Sequence, residues 1–279
     1  MMRLSFEFFP PKTEAGLEKL MQVTKKLEQY KPEYFSVTFG AGGTTRERTL
    51  NTVKALIENT NTAICPHLSC VASTREELQS LLDEYAAMGI KNIIALRGDA
   101  PSGSGVTASE FKYASDLVKW MRQTYGQQFK IHVGAYPEVH PETETMAKEI
   151  EHFQHKCAQG ADSAITQYFF NCDAYTNFVR SNKSSNIPII PGIMPIKDLD
   201  AITRFSNMCG AELPQWLQKS LYDIKDDPEQ TKNFVAAYTT QLCIDLLNKG
   251  APGLHFYTLN QADISCRILD AIKCSESVS

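Results

Sequence analysis

Eight short runs of apolar and β-branched residues, each followed by a stretch with helical periodicity, alternate along the whole chain. Such alternation commits a chain to parallel strands, because only a crossover connection returns the backbone to the same end of a sheet. The runs are Leu4 to Phe8, Tyr34 to Thr38, Ala63 to His67, Asn92 to Leu96, Lys130 to Tyr136, Ser163 to Gln167, Ile187 to Ile193 and Gly253 to Thr258. Eight strand–helix units in 279 residues predict an α/β protein, a (β/α)8 TIM barrel rather than an open sheet.

The predicted helices cover Glu14 to Gln29, about Arg46 to Asn59, Ser73-Thr74 to Met88, Glu110 to Thr124, Thr143 to Gln159 and Asp173 to Asn182. Lys197 to Met208, Pro214 to Tyr222, Pro228 to Lys249 and Gln261 to Ile272 follow. Thr13 caps the first of these helices, in which Leu17, Leu20, Met21, Thr24 and Leu27 keep the 3.6 period, and Pro10-Pro11 ends the strand before it. Three helical stretches stand where one would serve, so extra helices are expected before the eighth strand. With no linker or low-complexity tract, residues 1–279 read as one domain.

A net charge of −4 and dispersed Lys and Arg offer no basic field for nucleic acid, so a small molecule is the expected partner. No run approaches the roughly 20 apolar residues of a membrane span. Glu7 interrupts the only apolar run near the N-terminus, so no signal peptide is read and the chain is placed in the cytoplasm. Eight cysteines without a C-x-x-C are expected to be reduced, mostly buried thiols, with no metal site.

In a barrel of parallel strands, the C-terminal strand ends form the active face. The fourth run ends in Arg97-Gly98-Asp99, and the other exits carry Glu7, Thr38, His67, Tyr136, Gln167 and Tyr257. Each has a plain explanation: Arg97 pairing with Asp99, Thr38 as filler, His67 as a hydrogen-bonded core residue, Tyr136 as packing. Together they form a polar ring that a barrel without a ligand has little reason to keep. The Gly-rich stretch Phe39 to Thr45 lets backbone approach that ligand.

The strings SFEFFPPK (5–12), SVTFGAGGTTRERT (36–49), PHLSC (66–70), ALRGDAP (95–101), AYPEVHPE (135–142), AITQYFF (164–170), PGIMP (191–195) and HFYTLN (255–260) resemble, in order and spacing, those of the methylenetetrahydrofolate reductase family. The length resembles the family's short bacterial form. The resemblance implies a (β/α)8 flavoprotein holding FAD at the C-terminal face. It implies hydride transfer from NAD(P)H to 5,10-methylenetetrahydrofolate, giving 5-methyltetrahydrofolate for methionine synthesis.

By the same match, the implied flavin contacts are Thr38, Phe39, Ala41, His67, Arg97, Gly98, Asp99, Tyr113, Ala114, Tyr136 and His140. Glu149, His152 and Lys156 fall at i, i+3 and i+7 with His155 beside them, and the resemblance turns this helix toward the flavin's ribityl and pyrophosphate, with Lys156 as the anion partner. Opening the folate's imidazolidine ring needs a proton on the departing nitrogen. Glu7, on an apolar strand, is the candidate whose pKa burial could raise for that role. Asp99 is implied beside the flavin, where it disfavours the anionic reduced form and orients the pterin. Gln167, Phe205 and Tyr257 are implied on the substrate side.

Where the family usually has arginine after FYTLN, placed for the folate's glutamate tail, this chain has Gln261; Arg267 is six residues on and on another helix face. No domain for S-adenosylmethionine regulation is expected after the eighth helix. Two rival readings stay open: another FAD-dependent barrel dehydrogenase, such as a proline dehydrogenase, and a non-catalytic flavin- or folate-binding protein. The sequence leaves open NADH against NADPH and whether the chain forms a homo-oligomer.

Overall fold

The barrel follows from the two faces of its strands. In a computed structural model of the chain, which describes residues 2–39, 43–71, 73–98 and 110–276 (side chains of 43–45 and 275–276 excepted), the elements run β1 (Arg3–Phe8), α1 (Glu14–Glu28), β2 (Tyr34–Val37), α2 (Gly43–Asn59), β3 (Ala63–Ser69), α3 (Arg75–Ala87), β4 (Asn92–Leu96) and α4 (Ala114–Tyr125). They continue with β5 (Lys130–Ala135), α5 (Met146–Ala158), β6 (Ser163–Thr166), α6 (Cys172–Ser181), β7 (Ile189–Ile190), β8 (Gly192–Ile193), α7 (Leu199–Cys209), α8 (Gln215–Ile224), α9 (Pro228–Asn248), β9 (Gly253–Tyr257) and α10 (Asp263–Glu276).

Every strand pair is parallel. β7 pairs with β6 and β8 with β9, so the single strand expected over Ile187 to Ile193 is two short pieces that close the ring. Pro191 divides them because it has no N–H for the ladder, although its carbonyl still accepts from His255 N at 3.0 Å.

On β1, Leu4, Phe6 and Phe8 point outward into the apolar layer under the helices, where Phe6 stacks on Phe256 and Phe8 meets Phe35 edge-on. Ser5 and Glu7 alternate with them and face the barrel interior. That interior is unusually polar. Its apolar filling is a small cluster of Tyr34, Cys65, Ile94 and Ile165, and buried around it are Ser5, Ser36, His67, His132, Ser163 and His255. Most of these are paired: Ser5 Oγ lies 2.8 Å from His255 Nδ1, and His132 lies 2.6 Å from Ser163 Oγ and 3.3 Å from Asn92 Oδ1.

α4 begins at Ala114 and not Glu110, because the Asp116 carboxylate accepts from the backbone N–H of Lys112 and Tyr113 and fixes the cap there. α5 begins at Met146, capped by Thr145, three residues after the expected start. The extra helices α8 and α9 lie, with α7, between β8 and β9 as expected. Only Cys65, Cys70 and Cys243 are buried, whereas most of the thiols were expected to be. Among the described residues, no helix is long and apolar enough to cross a membrane.

Candidate active site

Glu7 sits at the C-terminal end of β1 with its side chain 12% exposed, in register with Ser36 on β2 and Tyr257 on β9. Two imidazoles face the same carboxylate oxygen, Oε2: His67 Nε2 from β3 at 3.2 Å and His255 Nε2 from β9 at 3.5 Å. Neither contact has hydrogen-bond alignment, so both buried ring nitrogens lack a hydrogen-bond partner among the described residues. Burial by itself pushes the Glu7 carboxyl up, but the two imidazoles outweigh it and bring it down to about 2. The expectation that burial raises this group is therefore reversed, because strands distant in sequence bring two imidazoles to the carboxylate.

Tyr257 crosses the interior to donate to Thr166 O at 2.7 Å. It can do so because residue 192 is glycine: a Cβ there would fall 2.2 Å from Thr166 O and 2.6 Å from the Tyr257 ring. Burial, then the nearby Glu7, hold the Tyr257 phenol well above its ordinary pKa, so it stays a neutral donor.

At the exit of β4, Gly98 has φ of +84°, and a Cβ would fall 1.9 Å from Ser69 Oγ. Only glycine makes that turn, which puts Arg97 on the rim. Its Nη1 and Nη2 both pair with the Glu142 carboxylate, the second at 2.9 Å, and its Nε donates to Gly98 O at 3.3 Å. Glu142 lies in the loop after β5. There Tyr136 meets His140 edge-on at 4.7 Å, and His140 Nδ1 accepts from Glu142 N at 3.1 Å. Thr38 and Phe39 lie half-buried after β2, with the Arg46 guanidinium over the Phe39 ring at 5.9 Å. Tyr113, half exposed, caps α4 just before Ala114. Ala41 and Asp99 lie outside the described residues.

α5 divides its four candidates. Glu149 is buried and accepts from His140 N at 3.2 Å, which anchors the loop after β5. Lys156 turns inward, donating to Gly134 O at 2.5 Å under the Tyr136 ring, and burial lowers its pKa. His152 and His155 are exposed and are not brought to the mouth with the others.

On the far side, Gln167 is half-buried at the end of β6, its Oε1 accepting from Tyr168 N. Phe205 on α7 is half-buried against a second apolar cluster that includes Tyr168 and Ile202. Gln261 is exposed just after β9, beyond Leu259 and Asn260, which both take left-handed φ. Asn260 brackets Phe9 with two hydrogen bonds, fastening the β9 exit to the β1 exit. Arg267 is engaged elsewhere, with Asn233 of α9 at 2.5 Å.

Three contributors escaped the sequence reading: His255, Ser5 and Glu142. The alternation Gly253, His255, Tyr257 opposite Ser5 and Glu7 carries the signal for the first two, since all share the inward face. Glu142 closes the AYPEVHPE string, which marked the stretch without singling out this carboxylate. A cavity of about 370 Å³ between α6, α8 and α9, lined by Phe170, Trp216 and Tyr238, shares no residue with this mouth. Among the described residues no His, Cys, Asp and Glu cluster is placed to hold a metal.

What the mouth offers is a carboxylate with Oε2 turned to two imidazoles, and on the rim a guanidinium and aromatic edges. The orphaned His67 Nε2 and the rim Arg97 beside Tyr136 are a donor and a cation suited to a flat polar ring with an anionic tail, so the residues present fit a flavin nucleotide.

A family model described as methylenetetrahydrofolate reductase matches residues 1–273. The 5,10-methylenetetrahydrofolate reductase of Escherichia coli (strain K12) is 37% identical over 270 residues, covering 96% of this chain and 89% of that one. Methylenetetrahydrofolate reductase (NADH) 1 of Arabidopsis thaliana is 35% identical over 270 residues, covering 92% of this chain and 46% of that protein. Among solved structures, a protein from Clostridium thermocellum that binds two copies of 5-methyl-5,6,7,8-tetrahydrofolic acid matches with a TM-score of 0.68 at 18% identity, over 99% of this chain and 96% of that one. The last is a likeness of fold.

Proposed function

The chain belongs to the methylenetetrahydrofolate reductase family, and we propose that it reduces 5,10-methylenetetrahydrofolate to 5-methyltetrahydrofolate with FAD as its cofactor and NADH or NADPH as donor. The observation that carries this reading is Glu7, a carboxylate held at the foot of a polar mouth between two imidazoles. When bound, FAD supplies two-electron carriage between the dinucleotide and the folate.

Thr38, Phe39, Arg97, Gly98, Tyr136 and His140 would hold the flavin, with Tyr113 and Ala114 beyond the β4 exit and Ala41 and Asp99 completing the set. Glu149 and Lys156 act on it indirectly, by fixing the loop that carries His140 and the floor under Tyr136. Gln167, Phe205, Tyr257 and Gln261 face the folate. Because its two imidazole neighbours keep Glu7 ionised in the free protein, it must first take up a proton at the mouth; it then gives that proton to the imidazolidine nitrogen, so that the C–N bond breaks and the nitrogen leaves as a neutral amine. The Arabidopsis relative's name supports NADH as the donor, and the reaction is assigned to the cytoplasm as part of this proposal.

The test is anaerobic. NADH is expected to bleach the bound flavin and methylenetetrahydrofolate to restore its colour. Bleaching by proline would replace this reading with a proline dehydrogenase, and no bleaching by any donor would replace it with a binding protein.

A further inference from the structure

The loop after β5 faces two ways. His140 meets Tyr136 edge-on at the mouth, whereas Glu138 turns to the helices between β8 and β9, where its Oε2 accepts from Glu212 N at 2.9 Å. Val139 stands between them with a left-handed φ of +73°, which a β-branched residue adopts only where its surroundings hold it. The end of α7 packs against this turn. Gly210, with φ of +76°, comes so close that a Cβ there would lie 3.3 Å from Val139 O and 3.2 Å from Pro141 Cγ.

The two sides of this contact are fastened unequally. The loop has anchors of its own: His140 N donates to Glu149 Oε2, Thr143 N donates to His140 O at 2.8 Å, and Glu142 grips Arg97. Among the described residues, α7 is hydrogen-bonded to the barrel only through the Tyr168 hydroxyl, which lies 3.2 Å from Ser206 Oγ and accepts from Cys209 Sγ at 3.4 Å. Beyond Gly210, the connection to α8 is tied to the loop through Glu138. Cutting that tie therefore frees the end of α7 and leaves the loop in place. Phe205 lies one turn before Cys209, so its ring moves with the helix end.

We infer that Glu138 is a positioning residue for the folate side of the mouth: by clasping the α7–α8 connection to the loop after β5, it sets where α7 presents Phe205. The clasp joins a loop that carries flavin-side groups to a helix that carries a folate-side one. What it needs from residue 138 is an acceptor at the right reach, and a glutamine amide supplies the same oxygen.

This inference rests on the reductase reading in naming Phe205 a folate contact, so its test has one arm that needs no substrate. In the full chain, hydrogen exchange followed by mass spectrometry is expected to quicken several-fold over residues 199–213 in Glu138→Ala, with residues 136–142 unchanged, and to keep the wild-type rate in Glu138→Gln. Gly210→Ala, whose added Cβ presses on Val139 O and Pro141, is expected to loosen the same segment from the other side. In turnover, Glu138→Ala is expected to raise the KM for methylenetetrahydrofolate several-fold with kcat and flavin reduction by NADH near wild type, while Glu138→Gln leaves the KM alone. Unchanged exchange over 199–213 in Glu138→Ala, or equal loosening in Glu138→Gln, overturns the clasp. A loosened helix with an unchanged folate KM overturns its positioning role. If the wild-type protein passes no hydride to the folate, the reductase reading falls and takes the role of Phe205 with it, and the exchange comparison still decides the clasp.

Discussion

Glu142 grips both terminal nitrogens of the Arg97 guanidinium, so that the loop after β5 fixes the cation at the exit of β4. Both side chains are well exposed, at 61% and 31%, so the pair contributes at most about 1 kcal/mol to stability. Its value is geometric: a two-pronged carboxylate leaves Arg97 one orientation.

Glu142→Ala is accordingly expected to shift Tm by only a few degrees while weakening retention of FAD several-fold, as read by equilibrium dialysis at low salt. Because Arg97 lowers the Glu142 carboxyl, the pair is complete above the ordinary carboxylate range and is lost as pH falls through the lowered value. Retention unchanged in the variant would mean that Arg97 needs no positioning.

Glu138 behaves in the opposite sense. Burial raises its carboxyl to about 7, although its Oε2 accepts from Glu212 N at 2.9 Å. A raised folded-state value means the native protein binds a proton that the unfolded chain has already released. The stabilisation is full below about 4.5, the ordinary value, and is lost as pH rises through about 7. Glu138→Gln keeps the acceptor and removes the titration, so its Tm is expected to be flatter than wild type between pH 5 and 8. Parallel curves would show that Glu138 does not titrate there.

Much of this was readable in the chain, and the exceptions have causes. Strand order and helix order follow from two incompatible periodicities, 2 and 3.6, so the eight units and the extra helices before the last strand stood out. Helix starts shifted by three or four residues where Asp116 and Thr145 supplied caps deeper in the sequence. Glu7 was visible as a lone carboxylate on an apolar strand, but the direction of its pKa was not, because His67 and His255 arrive from other strands. Lys156 was placed on the right helix, yet its inward turn onto Gly134 depends on the carbonyl left available by β5.

Gln261 is exposed just after β9, and Arg267 is held by Asn233 on α9. Gln261→Arg restores a charged fork at the mouth, and at a partly solvated position this is worth about 1 kcal/mol. The KM for methylenetetrahydrofolate is expected to fall several-fold, with flavin reduction by NADH unaltered. An unchanged KM would place the folate tail elsewhere.

The most direct measurement is stopped-flow separation of the two half-reactions in Glu7→Gln, which preserves size and shape while removing the transferable proton. Reduction of the flavin by NADH is expected to survive, and its reoxidation by methylenetetrahydrofolate to slow by roughly 10²-fold or more, the scale of a lost general acid. Equal losses in both half-reactions would contradict the account and make Glu7 a structural residue of the barrel.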